Sequence, residues 1–137
     1  MHASNRRFKL TLAIVGIFAV VWMVSEGDLL RDVALAGLLL LVGLMMLARR
    51  WPWMRALSPG KTVVLGAVGG LAYGMGLVLL TLFLMAVKTG LHAHGPEYTA
   101  YELVWVWNQL ALWAVAGSLV GLGMGLLAVA GSRTIGE

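Results

Sequence analysis

The sequence has no cysteine, which excludes disulfides, thiolate metal sites and thiol redox chemistry and leaves the compartment open. Charge is also scarce, at 12% of the residues against 61% hydrophobic ones. With a mean hydropathy of +0.90, a soluble domain of 137 residues could hardly hide so much apolar surface from water. The expected class is therefore an all-α integral membrane protein, with residues 1–137 forming a single transmembrane domain. No Asp, Glu, Lys, Arg or His falls in the central part of any long apolar run. Proton- or ion-coupled transporters, voltage sensors and embedded haem sites need such groups at depth. Small four-helix multidrug exporters rely on a glutamate inside the first span, where this chain has Gly16, Phe18 and aliphatic residues. A bis-histidine cytochrome is excluded in the same way, because His2, His92 and His94 all lie outside the apolar runs.

What is present falls into four apolar segments, at about 8–25, 29–48, 62–87 and 103–131. A charged start with Arg6, Arg7 and Lys9 precedes the first, in the manner of a secretory signal. The A-x-A-like site at Ala34–Ala36 lies inside the next run, so the first span is expected to stay uncleaved. Glu26, Gly27 and Asp28 form a polar turn, and Arg31 and Asp32 beyond it are expected to reach back to the interface. The linker 49–61 carries Arg49, Arg50, Arg55 and Lys61 with Trp51 and Trp53, as a headgroup-level loop does. The loop 88–98 is polar, and Thr99-x-x-Glu102 reads as a capping box opening the fourth helix.

The formal net charge of +4 comes from clusters beside apolar runs and forms no patch interleaved with aromatics, so no nucleic-acid partner is expected. Arg6, Arg7, Lys9, Arg49, Arg50, Arg55, Lys61 and Arg133 flank one face, whereas Arg31 and Lys88 flank the other. The asymmetry of positive charge places both termini and the basic linker in the cytoplasm. The expected architecture is two antiparallel hairpins in the cell membrane. The last two spans exceed the roughly 20 residues that a bilayer core requires. Their hairpin should project on the outer face and carry Trp105, Trp107, Asn108 and Gln109 to the interface, with Trp22, Trp51 and Trp53 completing the aromatic belts.

Glycines recur at Gly66, Gly70 and Gly74 and again at Gly117, Gly121 and Gly125. Residues four apart stack on nearly one helical side, and small-xxx-small faces let membrane helices approach closely. Pairing Gly66 with Gly125, Gly70 with Gly121 and Gly74 with Gly117 gives three pairs of equal sum, centred between Gly95 and Pro96. Gly-Pro is a turn signal on separate grounds. These six glycines are the expected helix-packing residues of the second hairpin. Tyr73, on the same face, is expected to bond a backbone carbonyl as part of the core.

The one constellation with ligand chemistry is His92-x-His94 followed by Glu97, which could offer an N,N,O set to zinc, nickel or copper. Structural metal sites supply four fixed ligands, so the reading taken is a solvated loop with no metal and no cofactor. The methionines Met45, Met46, Met75, Met85 and Met124 are scattered among apolar neighbours and read as gap-filling side chains. Gly74-x-Gly76 and Gly121-x-Gly123-x-Gly125 lie within apolar helices and are not phosphate loops. No catalytic set can be assembled from the sequence. The expected function is a non-enzymatic accessory or assembly subunit, packing through its glycine faces against itself or a larger membrane complex. The alternative is a small oligomeric channel lined by small residues and backbone. An enzyme would have to act through the outer histidine loop.

Overall fold

The computed structural model describes residues 2–25, 28–51, 56–91 and 97–134. Among them the chain is helical without strands: α1 (His2–Val24), α2 (Leu29–Arg50), α3 (Pro59–Leu91), α4 (Ala100–Asn108) and α5 (Leu110–Thr134). Local chemistry sets the helix ends. Asp28 caps α2 by accepting from the Leu30 amide at 2.9 Å. Pro59 opens α3, where its missing N–H costs nothing, and Thr62 returns a backbone and a side-chain bond to the Ser58 carbonyl. Thr99 and Glu102 form the reciprocal capping box at the start of α4, with bonds of 2.7 and 3.2 Å.

The 33-residue α3 is the central post, about 50 Å long at 1.5 Å per residue. Helix α5 lies against it as the most extensive contact, α2 packs on another side, α4 covers its last turns, and α1 leans on α2. Two apolar clusters use neighbouring faces of α3. Leu77 and Leu84 pack with Trp22, Leu35 and Ala36, while Val78 and Met85 pack with Tyr98 and Val106. The seven-residue spacing within each pair keeps a single face turned to a single neighbour.

Three helices are long and apolar enough to cross a membrane: Leu29–Arg50, Pro59–Leu91 and the combined Ala100–Gly131. The apolar part of α1, Lys9–Met23, is shorter. The length and composition of these helices are compatible with a multi-pass membrane protein. The fourth apolar segment also contains a step that its sequence did not announce. At Gln109 the amide bonds to the Val106 carbonyl at 3.1 Å, three residues back. That tightening divides α4 from α5 without a proline or glycine at the break.

Candidate functional site

The structure brings all six ladder glycines together between α3 and α5, at a spacing that leaves no room for side chains. A methyl carbon built on Gly70 would lie 3.0 Å from the Gly121 Cα and overlap the Gly117 carbonyl oxygen. One on Gly117 would lie 3.2 Å from the Gly74 Cα, and one on Gly66 would lie 3.3 Å from the Gly125 Cα. The equal-sum pairs are thus Cα neighbours. The tightest contacts run one turn away, from Gly74 to the Trp113 carbonyl, from Gly70 to the Gly117 carbonyl and from Gly66 to the Gly121 carbonyl. Each glycine therefore sits between two residues of the facing helix, and the two ladders pack against each other within the chain. Tyr73 donates to the Gly37 carbonyl at 3.1 Å, joining α3 to α2.

A second constellation lies at the other end of α3, where α1 ends and α2 begins. Asp32 and Lys88 are both 0% exposed, so Asp32 does not reach back to the interface as expected, and Lys88 does not open the polar loop but lies buried in the last turns of α3. Asp32 is held inside because the indole N–H of Trp22 donates to its Oδ1. Lys88 Nζ donates to the Trp22 carbonyl at 3.2 Å and lies 5.2 Å from the centre of the Trp22 ring, within cation–π range. Trp22 is buried accordingly, and its assignment to an aromatic belt is corrected as well. Only Arg31 remains outside, paired with Asp28 at 3.3 Å. Lining up the ends of three helices encloses these polar side chains within the protein, which no single segment could indicate.

Tyr98 completes the cluster from the residues before α4. Burial, then the neighbouring Asp32 carboxylate, then Glu97 push its phenol well above the ordinary tyrosine range, with the Asp28 backbone opposing. The hydroxyl is thus a neutral group beside a carboxylate. It stands outside ordinary hydrogen-bond geometry with Asp32, whose Oδ2 is buried and also without a hydrogen bond among the described residues. A buried acid at the indole N–H of Trp22 and a buried base at its carbonyl and ring tie three helices together through one tryptophan, with Tyr98 adding the loop.

Other sequence candidates fall elsewhere. His92 and His94 lie outside the described residues, while Glu97 is half-buried next to Tyr98. No group of three metal-ligating side chains occurs among the described residues. Asn108 is exposed, but Gln109 turns partly inward. With Thr81 and Trp113 it lines a cavity of about 20 Å³ between α3 and the α4–α5 step, which revises its reading as an interfacial side chain. No protein-family model, curated protein or solved structure matches the chain.

Proposed function

We propose that the chain crosses the cell membrane four times, with both termini and the basic linker in the cytoplasm, and serves as a non-enzymatic accessory or assembly subunit. The observation that carries this reading is how the chain divides its packing surfaces. The glycine faces pack on each other in the internal α3–α5 seam, so a partner helix cannot insert between them. Contact with another subunit falls instead to α4, whose outward face carries Tyr101 at 76% and Trp107 at 55% exposure, with Trp105 also exposed. Large aromatic side chains bring much contact area at low entropic cost and are favoured at interface hot spots. Beside a rigid two-helix post, they form a fixed projecting edge.

The test places a photo-crosslinking residue at Trp105 or Trp107 in the full chain in native membranes. A discrete adduct with one protein, or with a second copy of the chain, is expected. The same adduct should be lost when the crosslinker is moved to Leu127, an exposed position on α5. Lipid-only labelling at all three sites would remove the assembly reading. Solute or ion flux through the purified protein in liposomes would replace it with the channel.

A further inference from the structure

We infer that the groove between α2 and α5 binds one anionic phospholipid of the cytoplasmic leaflet. The groove has a volume of about 480 Å³ and crosses α3, walled by Leu41 and Leu44 on one side and by Val120 and Met124 on the other, with Gly69 and the open edge of the glycine seam on its floor. Along α3 it runs from Leu65 to Gly74, about 14 Å at 1.5 Å per residue. That is close to half of a hydrocarbon core roughly 30 Å thick. An acyl chain of one leaflet fits this length. A partner's spanning helix would need twice as much.

The two ends of the groove differ in the way a lipid requires. Toward the middle of the molecule it reaches Tyr73, whose hydroxyl is tied to the Gly37 carbonyl across to α2. At the other end, Lys61 stands one turn before Leu65, and Arg49 and Arg50 close α2 just beyond Leu44. Lys61 and Arg50 are exposed. Lys61 also lines a separate apolar hollow with Val64 and Leu65, which shares Leu65 with the groove. Basic residues beside an intramembrane groove on the cytoplasmic side favour anionic headgroups. This inference uses the proposed orientation but not the assembly role, so either can fail without the other.

Gly69 allows a selective test, because a methyl carbon built there meets nothing within 4 Å. Gly69→Leu should fill the groove and leave the α3–α5 seam intact. The probe is native mass spectrometry of the detergent-purified full chain with added phosphatidylglycerol or phosphatidylcholine. One phosphatidylglycerol should be retained in preference to phosphatidylcholine and be lost in Gly69→Leu. Lys61→Gln and Arg50→Gln should each weaken retention about fivefold. Equal retention of the two lipids, or undiminished phosphatidylglycerol in a folded Gly69→Leu, would overturn the site. A dimer that Gly69→Leu abolishes would assign the groove to a second copy and overturn it too. Should Gly69→Leu fail to fold, unchanged lipid preference in the Arg50→Gln, Lys61→Gln double variant decides against the proposal.

Discussion

In its half nearest the basic linker, α3 is held by surfaces without side chains, whereas its last turns are held by the most polar side chains of the core. The glycine seam joins two helices through backbone contact. The polar cluster joins α1, α2, α3 and the approach to α4 through Trp22, Asp32, Lys88 and Tyr98. The two differ in how they tolerate error. A seam of facing backbones has no flexible part, so any added atom forces the helices apart. A cluster of long side chains can rearrange, but each loss removes a bond to the shared Trp22.

The sharpest way to break this comparison is at Gly70. Gly70→Leu should abolish folding in detergent, and Gly70→Ala should cost up to about 3 kcal/mol, since overpacking that meets backbone has no side chain to displace. At Gly43 a methyl carbon meets nothing within 4 Å, so Gly43→Ala should stabilise α2 by about 1 kcal/mol through helix propensity alone. Opposite signs in denaturant titrations followed by circular dichroism are expected. Equal effects would mean that the seam is not close-packed.

The next effect belongs to the cluster. Asp32→Ala and Lys88→Met should each cost about 2 kcal/mol, because each removes a buried hydrogen bond between a charged group and Trp22, and Asp32→Ala also leaves the indole N–H without its acceptor. The double variant should cost clearly less than the two together. Strict additivity in a double-mutant cycle would reduce the cluster to two unrelated bonds that happen to share Trp22.

These two regions were unequally legible in the sequence. A four-residue glycine spacing reports a helix face directly, because the geometry of the helix converts spacing into position. The Thr99–Glu102 cap was legible for the same local reason. The polar cluster has no such local code. Trp22, Asp32, Lys88 and Tyr98 come from four separate segments, and each one alone fits the ordinary role of a charged or aromatic residue near a helix end. The available signal was that Asp32 opens one apolar run and Lys88 closes another, which puts opposite charges at one end of an alternating bundle. The step at Gln109 was not legible either, since neither Pro nor Gly marks it.

A smaller and more specific effect concerns Tyr98. Its phenol is raised above the ordinary value of 10.0 by burial and then by Asp32, so the folded state favours the neutral form. The resulting stabilisation is complete below that ordinary value and is lost as pH rises above it. Thermal melts in detergent should therefore fall more steeply above pH 10.0 for the parent chain than for Tyr98→Phe. Asp32→Asn should reduce the difference, because the carboxylate is the second cause of the shift. Parallel curves for the parent and Tyr98→Phe would place the phenol in a more open setting than its burial indicates.

The mildest substitution asks whether α2 and α3 need any polar tie away from the cluster. Tyr73 donates to the Gly37 carbonyl at 3.1 Å, and Gly37 lies inside α2, where a carbonyl with two lone pairs can serve the helix and a side chain together. Tyr73→Phe keeps the ring in place and leaves that carbonyl its helical partner, so no group is orphaned. The expected cost is about 0.6 kcal/mol, the mean of such interhelical bonds in membranes. A loss as large as that of Lys88→Met would show that the first and second hairpins hang on a mid-helix bond as much as on their shared end. The contrast between a side-chain-free seam and a polar clasp would then no longer describe how α3 is held.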